Sequence, residues 1–339
     1  MQYIVLFGGR SFEHEISIVS AIALKDIIEA LFIYIDANRD FYLIPKDEMK
    51  SATFSKKRFL KFPKVELKKG GFYQKALLKE KRVDGDVVIN LVHGSDGEDG
   101  KLAGILEFFE MEFIGPRVEG SVISYNKLLT KLFAKEVGCE VLEYQVISKE
   151  HIEPVRFSYP VIVKPLRLGS SIGVSIVKSE DELTYALDVA FEFDDEVLIE
   201  PFIEGIKEYN LAGCKADSFI FSKLEEVQKG EFLDFDKKYR DFSKKSVEDA
   251  PLSEGLKEHI YDCFKKIYDP YFKGSIIRID FFVHKGELYI NEINPIPGSL
   301  ANYLFEDFPS VLNRLSRYLP KPKDITIDYR YINSISAKK

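Results

Sequence analysis

Residues 278–294 constrain this chain more than any other stretch. They read RIDFFVHKGELYINEIN, two runs rich in β-branched and aromatic residues around His284-Lys285-Gly286, which is a β-hairpin pattern. With those three residues as the loop and Gly286 in the left-handed conformation, Val283 pairs with Glu287, Asp280 with Ile290 and Arg278 with Glu292. Side chains alternate along a strand, so Arg278, Asp280, Glu292 and Asn294 would share one face. Two carboxylates, an amide oxygen and a guanidinium make poor core. They suit a hard cation such as magnesium, which takes one or two carboxylates and completes its octahedron with phosphate oxygens and water. Arg278 beside such an ion suits a developing oxyanion or a phosphoryl group in transfer. An exposed, salt-bridged strand face is the other reading of the same pattern.

A second constellation lies upstream. Residues 161–178 read as strand, glycine loop, strand: VIVKP, LRLGSSIG, VSIVK. Lys164 ends a buried strand, and the turn with Gly169, Ser170 and Ser171 can add several backbone N–H groups around one anion. Both flanks are strands and GxxxxGK[ST] is absent, so this is not the strand–loop–helix phosphate loop. A plain hairpin with a surface lysine remains the alternative. Farther on, EPFIEGIKE carries Glu200 and Glu208 at its two ends, where they can accept hydrogen bonds from an adenine amino group and from ribose hydroxyls. An acidic interdomain linker fits that stretch equally. Glu13 opens the first helix, a place where an acid ordinarily serves the helix dipole. A buried glutamate facing a substrate ammonium is the sharper reading.

These segments sit in an α/β chain of 339 residues, long enough for two or three domains. Residues 3–7 form a buried strand broken by Gly8-Gly9, and a helix follows with Ser11 as its N-cap. Strands at 32–36 and 87–92, a helix from Leu102 and a short strand at 113–114 complete an N-terminal unit, 1–114. Residues 55–82 are lysine-rich and read as a solvated insertion with short hairpins or, alternatively, as a phosphate-binding patch. A central unit, 115–204, contains a single helix over 124–138, the glycine loop, a helix over 179–191 and a strand at 197–200. The last unit, 205–339, holds the hairpin and ends in a peripheral tail after Pro320. A net charge of −7 argues against nucleic acid as the main partner. No apolar run reaches the roughly 18–20 residues of a membrane span, and the start turns polar too soon for a secretory signal. Three separated cysteines support neither a disulfide framework nor a thiolate zinc site, so a cytoplasmic protein is expected.

Together the segments LFGGRSFEHEIS, NLVHGSDGEDGKLAGILE, YPVIVKPLRLGSSIGVS, LIEPFIEG, DFDKKY and RIDFF followed by NEINPIPG resemble the ATP-grasp carboxylate–amine ligases. Within these the chain resembles the D-alanine–D-alanine ligases, from residue 3 to about residue 305. The resemblance implies a three-domain ATP-grasp fold with a Rossmann-like N-terminal domain, and ATP-dependent joining of two D-alanines for peptidoglycan synthesis. It implies Lys127, Lys164 and the loop 169–173 at the nucleotide phosphates, Glu200 and the backbone near Ile203 at adenine, and Glu208 at ribose. Asp280, Glu292 and Asn294 would bind two magnesium ions, with manganese as a substitute, in agreement with the hairpin argument. Glu13 would receive the first D-alanine's ammonium and form a hydrogen-bonded set with Ser170 and Tyr239. Lys238 would reach the transferred phosphate, while Arg278 and the Gly298 N–H form the oxyanion site. His93 would lie at the edge of the amino-acid pocket.

Two positions depart from the family pattern. Pro201 stands where a lysine usually follows the adenine-binding glutamate, which leaves Phe282 as a ring contact, and Tyr303-Leu304 replaces the serine-leucine pair at the second substrate's carboxylate. Tyr239 in the lid favours an amine over a hydroxy acid as the second substrate. Rival readings are a ligase using D-lactate or D-serine, and a nucleotide-binding protein without turnover. A homodimer is implied by the family alone.

Overall fold

Three β-sheets organise the residues that this computed structural model describes, 1–75, 79–227 and 248–336. In the first, Tyr3–Gly8 is buried throughout and pairs in parallel with Ala30–Ile35 and Val87–Asn90, and Phe113–Ile114 adds a fourth parallel strand. A strand covered on both faces needs a continuous apolar run, which YIVLF supplies. Phe41–Ile44, Lys64–Lys68, Gly71–Lys75 and Glu80–Arg82 extend this sheet antiparallel to eight strands. The lysine-rich insertion is therefore sheet edge, and its Lys68 and Lys75 pair with Glu80 and Glu66.

Two helix starts differ from expectation. The first helix, His14–Leu24, has Glu13 at its N-cap position; Ser11 instead builds the preceding turn, its Oγ accepting from the Glu13 N–H at 2.9 Å. The expected helix over 124–138 begins earlier and is two, Val118–Tyr125 and Lys127–Glu136. Asn126 divides them because its side chain accepts from the Leu128 and Leu129 N–H groups and caps the second helix. Lys127 is thereby fixed at a helix start, against the glycine loop.

The second sheet is antiparallel, in the order Ser175–Val177, Val161–Pro165, Glu196–Pro201, Gln145–Ser148. The third runs Phe219–Glu226, Lys207–Lys215, Ile277–His284, Glu287–Asn294. Helix Glu254–Tyr271 presents Ile260, Phe264, Ile267 and Tyr268 at helical spacing to one core with that sheet's Leu211, Ile279 and Phe281. No helix among the described residues is long and apolar enough to cross a membrane.

The late hairpin corrects the expected register. His284 pairs with Glu287, so the loop is only Lys285 and Gly286, at φ 51° and 87°, as a two-residue turn requires. That tighter loop alone would put Asn291 opposite Asp280 and turn Glu292 and Asn294 to the other face. A bulge prevents this: Phe281 pairs with Ile290 but Asp280 pairs with Glu292, leaving Asn291 as the extra residue. Arg278 then faces Asn294. The shared face survives through two departures that offset each other.

Candidate active site

Strands Val161–Pro165 and Glu196–Pro201 set Ile162 opposite Glu200, so Lys164, two residues on, lies on the Glu200 face. Lys164 Nζ donates to Glu200 Oε2 at 2.7 Å and lies 3.4 Å from Asn291 Oδ1. The other carboxylate oxygen, Oε1, is 2.5 Å from Lys131 Nζ. Burial pushes the Glu200 carboxyl up, but Lys131 and Lys164 outweigh it and hold the group down at about 2. Burial likewise disfavours charge on Lys164, yet Glu200 and the nearby Glu292 and Glu208 raise it above the ordinary lysine value. Glu200, expected at adenine, thus has both oxygens engaged by ammonium groups. Lys131 is absent from the sequence-based set.

Glu13 is buried at the mouth of the glycine loop. Its Oε1 accepts from Ser170 Oγ at 2.5 Å, and its Oε2 lies 3.4 Å from the Gly169 N–H. Ser170 and Ser171 both hold left-handed backbone, φ 58°, in a tight turn over the carboxylate. A Cβ on Gly169 would meet Glu13 Oε1 at 2.9 Å, and one on Gly94 would meet Glu13 Oε2 at 2.8 Å, so two glycines from two separate loops admit the carboxylate. Burial raises the Glu13 carboxyl, only partly offset by Ser170, the Gly169 N–H and Lys127. Glu98, from the same HGSDGEDG segment as Gly94, is pushed well up by burial and by Glu13; sequence reasoning quoted that segment without singling it out.

On the hairpin, Arg278 Nε and Nη2 donate to the two oxygens of Asp280 at 2.6 and 2.8 Å, a bidentate pair with an almost fully buried carboxylate. Asn294 Nδ2 lies 3.5 Å from the Arg278 carbonyl, which turns its amide oxygen away from the backbone. Among the described residues no three His, Cys, Asp or Glu side chains group into a metal cage. Two carboxylates and one amide oxygen on one face nevertheless fit magnesium, which binds through few protein ligands and completes its shell with phosphate oxygens. A carboxylate offers about four lone-pair sites, so the fork from Arg278 leaves Asp280 capacity for a cation.

Lys127 links these parts. Its Nζ donates to the Leu168 carbonyl and its N–H to the Leu166 carbonyl at 3.1 Å. Lys127, Lys164, Gly169, Ser170, Ser171, Glu208 and Glu292 all line one cleft between the second and third sheets, together with Asn291. Seven sequence-selected residues therefore meet in one place.

The remaining candidates are spread around this cleft. Ile203 sits in the turn between Glu196–Pro201 and Lys207–Lys215, and Phe282 is buried opposite Glu208. His93 is buried, with Nδ1 2.9 Å from the Leu91 carbonyl, and burial pulls it down to about 4, so the ring is neutral with Nε2 as its acceptor. Gly298 opens a turn in which Ser299, Leu300 and Ala301 are all left-handed, anchored where Ser299 N–H donates to Ser20 Oγ of the first helix at 3.1 Å. Tyr303 donates its hydroxyl to Glu225 Oε2 at 3.2 Å, whereas Leu304 is buried against Ala212 and Ala301. Lys238, Tyr239 and the DFDKKY segment lie outside the described residues.

The chain matches the family model described as "D-ala D-ala ligase N-terminus" over residues 2–116 and that described as "D-ala D-ala ligase C-terminus" over residues 133–308. It is 67% identical to a D-alanine--D-alanine ligase of a Nitratiruptor species, with all of both chains covered. Among solved structures, the D-Alanine-D-Alanine Ligase from Helicobacter pylori is similar with a TM-score of 0.86 at 50% identity, over 95% of this chain and 100% of that one. The VanG D-Ala:D-Ser Ligase from Enterococcus faecalis is similar with a TM-score of 0.73 at 27% identity, over 93% and 98%.

Proposed function

The chain belongs to the D-alanine–D-alanine ligase family, and on that premise we propose that it uses ATP to join two D-alanines into the dipeptide of peptidoglycan, in the cytoplasm and as a homodimer. The observation that carries the reading is the single cleft lined by Lys127, Lys164, the glycine loop, Glu208 and Glu292. The carboxylate of one D-alanine attacks the γ-phosphorus, the bond to ADP breaks, and an acyl phosphate forms. The second D-alanine, its amine deprotonated, attacks the carbonyl carbon and phosphate leaves. Lys127 and Lys164 offset the charge of two anions brought together, and Glu208 receives the ribose. Adenine lies between the backbone near Ile203 and the Phe282 ring, with Glu200 beside it. Glu13 holds the first ammonium, and Arg278 with the Gly298 N–H holds the oxyanion. His93 edges the amino-acid pocket, and Tyr303-Leu304 borders the second carboxylate. Asp280, Glu292 and Asn294 would hold two magnesium ions or manganese, which when bound withdraw charge from the phosphate oxygens. Lys238, for the transferred phosphate, and Tyr239, for the set with Glu13 and Ser170, are the family-implied members that lie outside the described residues. The working units are 1–114, 115–204 and 205–339.

Phosphate release from ATP, measured with and without D-alanine, tests the reading. D-alanine is expected to stimulate release, and D-alanyl-D-alanine should accumulate in equal amount. ATP binding with no stimulated release would mark a non-catalytic nucleotide-binding protein, and faster turnover with D-serine or D-lactate as acceptor would reassign the second substrate. Gly169→Ala probes the Glu13 contact separately. The added Cβ must displace the carboxylate, so the KM for D-alanine is expected to rise about tenfold, with a smaller change for ATP. Equal changes in both constants would mean that the loop as a whole had moved.

A further inference from the structure

Three charged side chains from three separate elements meet beneath the nucleotide cleft. Glu200 comes from a central strand, Lys164 from its neighbour, and Lys131 from the helix Lys127–Glu136, one turn beyond Lys127. Glu200 and Lys131 are each only 1% exposed. Lys164 Nζ holds Glu200 Oε2 at 2.7 Å and Lys131 Nζ stands 2.5 Å from Oε1. Burial pulls the Lys131 ammonium down and Glu200 pulls it back up in part; with both lysines protonated against one carboxylate, the cluster carries one net positive charge. A Lys164–Glu200 pair alone would be neutral, and its field at a neighbouring polyanion would largely cancel. Screening by water is weak at such depth, so the third charge acts at nearly full strength.

We propose that Lys131 is a positioning residue for the nucleotide triphosphate: it neutralises Glu200 and so leaves the Lys164 ammonium able to attract phosphate. This rests on the ATP reading of the cleft. Lys131 contacts Glu200 and does not itself line the cleft, which separates its role from those of Lys127 and Lys164, both of which do.

The test is a charge series read by calorimetric binding of ATP and of adenosine, which lacks phosphate, at one fixed magnesium concentration. Lys131→Met takes the cluster from one positive charge to none, Glu200→Gln takes it to two, and the double variant K131M/E200Q returns it to one. ATP affinity divided by adenosine affinity is expected to fall about tenfold in K131M, to rise in E200Q and to return to within roughly threefold of wild type in the double variant. Lys131→Arg, which keeps the charge, should stay near wild type. An equal loss of ATP and adenosine in K131M, or a double variant no better than K131M, would overturn the proposal and leave Lys131 as a support for adenine alone. Should K131M not fold, E200Q against the double variant carries the same single-charge step. Failure of the ATP reading looks different: wild-type protein would then lack D-alanine-stimulated phosphate release.

Discussion

Arg278→Met is expected to lower kcat by about 10²–10³, the usual loss when one donor to a developing oxyanion is removed. The guanidinium is tied to Asp280 by two hydrogen bonds, 2.6 and 2.8 Å, and the carboxylate is almost fully buried. Methionine fills similar volume but leaves Asp280 without its fork, and breaking a buried pair in this way costs roughly 3–5 kcal/mol. Thermal unfolding should therefore accompany the kinetics. Arg278→Lys separates the two effects, because it restores the charge without the planar fork. It should recover most of the lost stability and only part of kcat. Arg278 is further held above the ordinary arginine value, since Asp280, with smaller help from Tyr303 and Glu292, outweighs the cost of burial, so no loss of its charge is expected across the working pH range. If kcat in Arg278→Met stays within threefold of wild type, the oxyanion role belongs elsewhere.

What the sequence made legible about this site follows physical range. The glycine loop and Lys164 could be read because a strand end, a lysine and a Gly/Ser turn are contiguous in the chain. The shared face of Arg278, Asp280, Glu292 and Asn294 could be read because strand alternation is local. Its register could not, since the bulge at Asn291 lies on the sheet's outer strand, where Ile290 N–H donates to the Glu140 carbonyl at 2.8 Å and Asn291 Oδ1 faces Lys164, both partners distant in the chain. Lys131 lies on a helix that also carries Lys127 and Lys135, and nothing local marks it as the one that is buried. Its partner Glu200 comes from a strand of the second sheet, far along the chain, and that long-range pairing is what the local pattern does not encode. Asn126 offered a local signal, a capping residue inside an apolar period, and the helix break there was open to a closer reading. Tyr303 against Glu225 depends on how the left-handed turn after Gly298 packs on the third sheet, which periodicity does not encode.

Glu13→Gln is expected to raise the KM for D-alanine by roughly 10²-fold, the scale of a lost charge-assisted hydrogen bond in a dry site, while the KM for ATP moves little. Glutamine keeps an oxygen for Ser170, which donates to Glu13 Oε1 at 2.5 Å, so the glycine loop retains an anchor. The pH dependence has a definite sign. Burial raises the Glu13 carboxyl above the ordinary glutamate value; Ser170, the Gly169 N–H and Lys127 pull it back, and Glu292 adds to the rise. The stability tied to this proton is fully present below the ordinary value and is lost as pH rises through the raised one. Ammonium binding runs the other way, because it needs the ionised carboxylate and weakens as pH falls through that same raised value. Wild type should therefore show an acid limb in kcat/KM for D-alanine centred above the ordinary glutamate value, and Glu13→Gln should lack it. At pH 8 the variant should unfold at a temperature no lower than wild type, since it no longer holds an ionised carboxylate out of water. A variant that loses D-alanine affinity and stability together would mean that Glu13 braces the loop and does not receive the substrate.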